Sequence, residues 1–158
     1  MADVALRCGQ GPHRVPARVE PGFSVTGATG YIGGRRIPRL LEAGFCVRSL
    51  VREVSRLQGR TWHGEIDLIE GDVLWPDSLS GAMVGATLAC YLVHSLGSGP
   101  DFFERDLQAA RNFNAAAKSA GVGRMIYLGG LGDPATNLSA HLPSRQQTGD
   151  ALRESGVP

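Results

Sequence analysis

No CxxC pair, no apolar run near the length of a membrane helix and no excess of one charge stand out in this chain, and each absence closes a class of function. The three cysteines, Cys8, Cys46 and Cys90, lack metal-site or redox spacing. Cys46 and Cys90 lie in apolar runs, where cysteine commonly packs as a small hydrophobe, so a reducing, cytoplasmic setting is expected. Sixteen Lys and Arg against fifteen Asp and Glu leave a net charge of +1. No overall field therefore draws the chain to nucleic acid or to an anionic membrane, although a small anion held at one spot is compatible with it. Apolar segments fall far short of the roughly 20 residues a membrane helix needs, and the first 22 residues lack the apolar segment of a secretion signal. GxSxG, HExxH and GK[ST] are all absent. His13, His63, His94 and His141 are scattered, so no metal site is expected. "NLS" at 137–139 fits a glycosylation sequon that a cytoplasmic protein would leave unmodified.

What the chain does have is glycine at a regular interval. "TGATGYIGG" at 26–34 carries Gly27, Gly30 and Gly33, and its meaning depends on its flanks. The 158 residues suit one domain with a real core but are short for a complete two-part enzyme. Residues 1–22, rich in Arg, Gly and Pro, are expected to be a flexible leader or an upstream extension outside the fold. A transit peptide fits them poorly, since they lack Ser and Thr and contain Asp3 and Glu20. From Phe23 onward, β-type runs alternate with helical patterns. Strands are expected at "FSVT", "CVRSLV", "IDLIEGD", "TLACYLV" and "MIYL". Helices are expected at "IGGRRIPRLLEAG", kinked at Pro38, at "DSLSGAM", at 101–120 and at "SRQQTGDALRES".

Alternation of this kind implies an α/β fold, a doubly wound parallel sheet of the Rossmann nucleotide-binding class. The glycines then fall between the first strand and the first helix, and their spacing acquires a function. Gly27 permits a tight turn, Gly30 lets the backbone approach a pyrophosphate, and Gly33 allows close helix packing. The N–H groups at the start of the helix face the anion.

The GxxGxxG spacing, "GDV" at 71–73, "DLQAARNFNAAAKSAGVGRMIYLGG" at 106–130 and "SR" before the last helix together resemble the extended and atypical short-chain dehydrogenase/reductases. "YLVHSL" and "LGGLGD" resemble the NAD(P)H-binding, NmrA-like branch. The resemblance runs from about Phe23 to Pro158 and implies that Gly27, Thr29, Gly30, Tyr31, Ile32 and Gly33 hold the cofactor. It also implies that Asp72 and Val73 flank the adenine, and that Leu92, Val93 and His94 line the nicotinamide side. His94 as a solvent-facing loop residue stays open beside that role. Asp106 stands where extended members often carry the first Asn of a helix motif whose second Asn is matched by Asn112.

Two functions remain: an NAD(P)(H)-dependent oxidoreductase acting on an unknown small molecule, and a non-catalytic NADP(H)-sensing protein. In the resembled family a Tyr and a Lys, written YxxxK, handle the proton. Here "HLPSR" puts His141 and Arg145 at those positions, so loss of the standard Tyr-based reduction is expected, with a His-based variant as the alternative. Family members continue past "ESGVP" into a sixth strand and a substrate-binding part, so residues 23–158 are expected to be the cofactor-binding portion. A sheet lacking that cover invites self-association into a homo-oligomer, with the Ala-rich helix at 101–120 as the contact unless its small side chains serve internal packing. NADP(H) is expected in preference to NAD(H), because Arg52 stands at the end of the second strand where NAD-selective folds carry an acid. Arg35 is placed to help; Glu53 argues for NAD(H).

Overall fold

The computed structural model describes residues 22–94, 101–130 and 141–158. The expected leader falls almost wholly outside them, as do "NLS" and the side chain of His141. Five strands, β1 (Gly22–Thr26), β2 (Cys46–Val51), β3 (Asp67–Glu70), β4 (Ala86–Tyr91) and β5 (Arg124–Tyr127), form one parallel sheet in the order β3-β2-β1-β4-β5. Helices α1 (Tyr31–Glu42), α2 (Pro76–Met83), α3 (Phe102–Ser119) and α4 (His141–Arg153) alternate with them. Two short 3-10 turns, Val54–Leu57 and His63–Glu65, fill the connection from β2 to β3.

Hydrophobic pattern explains the layering. β1 and β2 are buried at every position, as expected for central parallel strands covered on both faces. One face packs Val25, Val47 and Cys90 under Ile37 and Leu40 of α1 and under Leu57 and Trp62 of the β2–β3 connection. The other packs Leu50, Ala89 and Tyr91 under Leu79, Met83, Phe113 and Leu152 from α2, α3 and α4. Ala109, Ala110 and Ala117 of α3 are buried in that second cluster, so the alanine-rich face serves close packing within the chain. Helix α1 runs on through Pro38, which removes the N–H that would bond the Gly34 carbonyl. Cys90 is a free, buried thiol pushed up to about 11 by burial. Cys46 is buried as well.

The order of strands determines where a ligand can sit. The chain leaves β1 toward β2 and β3, then crosses back to β4 and β5 on the other side. Connections therefore diverge beyond the carboxyl ends of β1 and β4 and open a crevice there. Thr26 spans its base, donating from Oγ1 to the Cys90 carbonyl at 3.2 Å and accepting from Leu92 N–H at 3.4 Å. Ser49 Oγ donates to the Val25 carbonyl at 2.7 Å. Beyond Gly156 the backbone returns to the edge of β5, where Met125 N–H donates to the Pro158 carbonyl at 2.7 Å.

One charge lies in the middle of this sheet. Arg48 of β2 is 2% exposed, and its Nη1 donates to the carbonyls of Gly81 and Val84 at 3.1 and 2.7 Å while Nη2 meets Asp67 at 3.2 Å. A buried guanidinium thus satisfies carbonyls at the end of α2 and joins them to β2 and β3. Truncating one member of such a pair leaves its partners desolvated and unmatched. Arg48→Ala is therefore expected to lower unfolding free energy by about 3–5 kcal/mol, read as a lower urea midpoint with an unchanged slope.

Candidate functional site

The turn after β1 is built by close contact. Gly27 has φ +83°, and a Cβ there would stand 2.7 Å from the Leu92 carbonyl oxygen. A Cβ at Gly33 would stand 2.3 Å from the Gly27 oxygen and 2.8 Å from the Ala28 Cα. The first turn of α1 is thus pressed directly onto the backbone leaving β1. Gly30 caps α1 in an extended conformation, its N–H donating to the Gly27 carbonyl at 3.1 Å. The helix has no side-chain cap and no acidic residue in its first turn. Its leading N–H groups, which no helical carbonyl can satisfy, are left available to an anion.

These groups open onto a cleft of about 790 Å³ that also reaches the ends of β2, β3, β4 and β5. Gly27, Thr29, Gly30, Tyr31, Ile32 and Gly33 all line it. At one end stand Arg52, after β2, and Asp72 and Val73, after β3. Glu53 is not among the lining residues, and its carboxylate accepts the Ser55 hydroxyl at 2.6 Å. The loop after β3 is held from inside. Asp72 Oδ1 accepts Leu74 N–H at 2.9 Å, and Asn112 Nδ2 donates to the carbonyls of Val73 and Leu74, both at 3.1 Å. Gln108 in turn donates to Asn112 Oδ1 at 2.7 Å. Asn112 is thus the clamp that sets the height of the Asp72–Val73 wall.

Leu92, Val93 and His94 line the other end together with Asp106 and Arg145. His94 is half-buried with its ring tilted 59° to that of Tyr127 at 5.6 Å. Burial, and then the Arg145 guanidinium, lower its pKa, opposed by Asp106 and by a hydrogen bond to the Leu128 backbone. It is a wall residue of the cleft, not a solvent-facing loop residue. The neighbouring tyrosines are committed inward. Tyr127 donates its hydroxyl to the Arg145 carbonyl at 2.9 Å, and burial raises its pKa. Tyr91 is 1% exposed, packs edge-on against Phe113, and is raised further still by burial and by Asp106. Helix α4 starts at His141, but the role expected of its imidazole lies outside the described residues. Sequence reasoning passed over Arg105 and Leu128, which also line the cleft. Leu128 directly follows β5, and position after a strand's carboxyl end was the signal for it. Among the described residues, no three His, Cys, Asp or Glu side chains group in a way that suits a metal ion, and no helix is long and apolar enough to cross a membrane.

A parallel sheet with a glycine turn, an uncapped helix and a crevice at the change of strand direction defines a dinucleotide-binding α/β domain. More specifically, the chain belongs to the NAD(P)H-binding family, whose family model matches residues 27–157. It is 29% identical over 131 residues to a chloroplastic divinyl chlorophyllide a 8-vinyl-reductase of Zea mays, covering 76% of this chain and 33% of that one. Triphenylmethane reductase of Citrobacter sp., solved with NADP(H), superposes with a TM-score of 0.70 at 25% identity, covering 87% of this chain and 47% of that one. The NADPH-dependent quinone oxidoreductase QOR2 of Escherichia coli, solved with NADPH, gives 0.70 at 26% identity, covering 85% and 46%. The chain thus spans a third to a half of the length of these relatives.

Two outcomes follow from the geometry. Gly33→Ala must push α1 off the turn, and overpacking of this kind costs about 1–3 kcal/mol; calorimetry should show a lower Tm together with lost NADPH binding. Because His94 is held below its ordinary pKa, the unfolded chain takes up its proton before the folded one does. Its contribution to stability is therefore complete above about pH 6.5 and is lost as pH falls below that value. Urea titrations between pH 7.5 and 5 should show a shallower decline for His94→Gln than for wild type.

Proposed function

We propose that this cleft binds NADP(H) in preference to NAD(H), as the cofactor-holding part of a short-chain dehydrogenase/reductase-like enzyme acting on a small molecule. The residues present fit the group. Gly27, Thr29, Gly30, Tyr31, Ile32 and Gly33 offer backbone donors and room for the pyrophosphate. Asp72 and Val73 hold the adenine, while Leu92, Val93 and His94 receive the nicotinamide. When bound, the cofactor supplies a hydride; the chain's own contribution is to orient it and to exclude water from one of its faces.

The orientation of two neighbouring side chains supports the choice of cofactor. Arg52 faces the cleft, whereas the Glu53 carboxylate, which would favour the 2′-hydroxyl of NAD, accepts the Ser55 hydroxyl at 2.6 Å. A guanidinium suits a phosphate monoester through charge-assisted, bidentate hydrogen bonds. A second reading, cofactor sensing without turnover, draws on the Tyr127 hydroxyl, which is committed to the Arg145 carbonyl and so is not offered to a substrate oxygen.

Titrating NADPH and NADH into wild type and Arg52→Asp tests the preference. A hydrogen bond to a charged group is worth about 1.5–3 kcal/mol, so the substitution should cut NADPH affinity by roughly tenfold to a hundredfold and leave NADH affinity unchanged or raised. An equal preference in the two proteins would count against the assignment.

A further inference from the structure

The end of the cleft where Leu92 and Val93 lead out of β4 is lined by His94, Asp106 and Arg145 together. Carboxyl and guanidinium groups titrate far to either side of neutrality, and imidazole alone gives and takes a proton near it. The tyrosines are occupied elsewhere. Tyr91 is 1% exposed and is not part of the lining, and the Tyr127 hydroxyl donates to the Arg145 carbonyl at 2.9 Å. Tyr31 stands in the glycine turn at the other end, with Arg35 over its ring at 4.5 Å. Among the described residues that line this end, His94 is therefore the one group with the chemistry of a proton carrier.

The ring is also held in one orientation. It is half-buried and lies 5.6 Å from the Tyr127 ring at a tilt of 59°. Its Nδ1 is buried, which leaves Nε2 as the ring nitrogen that a molecule in the cleft can meet. Opposite influences bear on it from the surrounding elements. Burial, and then Arg145 of α4, disfavour a proton on the ring, while Asp106 of α3 and the Leu128 backbone after β5 favour one. Tyr127 of β5, with Tyr91 of β4 against it at 6.1 Å, completes the titratable groups on this side. Asp106 is only 5% exposed, so water screens its charge weakly and an imidazolium formed beside it would be stabilised. Extended members often carry a neutral Asn at this position, so the carboxylate is not something the resemblance supplies.

Resting on the oxidoreductase reading above, we propose that His94 is the catalytic proton carrier at the nicotinamide end, in place of the tyrosine of the resembled family, with Asp106 as its positioning residue. In reduction the Nε2–H bond of the imidazolium breaks and an O–H bond forms on the substrate. The bonding pair stays on the nitrogen, and the proton neutralises the charge that the oxygen acquires as its carbon receives the cofactor's hydride. Water then returns a proton to the ring. In oxidation the neutral ring takes the hydroxyl proton by the reverse path. Charge gives the exchange its direction, because a nicotinamide ring is cationic when oxidised and neutral when reduced. An imidazole beside it holds its proton more tightly with NADPH, where an acid is needed, and less tightly with NADP+, where a base is needed.

Histidine side-chain NMR on the isotopically labelled whole chain tests this, with pH titrations of the free, NADPH and NADP+ forms of wild type, His94→Gln, His141→Ala and Asp106→Asn. His94 should bind its proton roughly tenfold less tightly with NADP+ than with NADPH, the scale of one unit charge a few ångströms away in a partly screened site. Calorimetry in buffers of different ionisation enthalpy should show the same difference as protons released on NADP+ binding, and His94→Gln should abolish it while still binding NADPH. Asp106→Asn should lower the proton affinity of His94 in all three forms without altering the pattern of cofactor-induced backbone shifts, a change that a merely structural aspartate would not make. Equal proton affinity of His94 in the two complexes would overturn the proposal, as would a difference that survives His94→Gln and vanishes in His141→Ala. Reduction of benzaldehyde by NADPH at an undiminished kcat in His94→Gln would overturn it too. Failure of the underlying reading looks different: wild type would bind neither dinucleotide, and no histidine resonance would respond to either.

Discussion

The contact of the first turn of α1 with the backbone leaving β1 is the constraint on which the rest of the site depends. With Gly33 close enough to Gly27 and Ala28 that a methyl group would overlap both, the helix axis is aimed at the crevice and its free N–H groups are presented at the right depth. Without that contact α1 would move outward, and the layer of Ile37 and Leu40 over β1 and β2 would open with it. Packing and ligand geometry are here one interaction, because the same missing side chain closes the core and exposes the donors.

Around that fixed centre the walls are set by polar side chains that reach across the fold. Asn112 of α3 holds the loop after β3, Thr26 joins the ends of β1 and β4, and Arg48 ties α2 to the second and third strands. Each replaces water with a defined partner at a place where backbone carbonyls would otherwise be buried unmet. At the far end the same economy turns Tyr127 away from the cleft and leaves His94 neutral beside Arg145. Three guanidiniums, of Arg52, Arg105 and Arg145, line the cleft against two carboxylates, of Asp72 and Asp106, a small cationic excess that suits a dinucleotide phosphate.

Much of this was legible in the sequence because it is local. The apolar run "CVRSLV" coincides with β2, Cys46–Val51, and the expected helix at 101–120 with α3, Phe102–Ser119. The glycine spacing located the turn, and the expected cofactor residues on β2, β3 and β4 meet in one cleft because strand ends in a parallel sheet converge at one edge. What was not legible depends on direction and distance. Arg48 sits in a strand whose pattern gives no hint that its partners are 19 to 36 residues away. Whether Arg52 or Glu53 faces the cleft is a matter of which way two adjacent side chains leave a strand end, which composition does not encode. The 3-10 turn at Val54–Leu57 is too short to carry a periodic signal.

The claim that joins fold to function is that the exposed donors of the glycine turn receive the cofactor phosphates. Backbone amide shifts recorded by two-dimensional NMR during an NADPH titration test it most directly. Saturable shifts centred on Tyr31, Ile32 and Gly33, with Arg52 and Asp72 following at the same midpoint, are the predicted result. Saturation by NADPH that leaves the Tyr31–Gly33 amides unmoved, or shifts that map to the outer faces of the helices, would contradict the account.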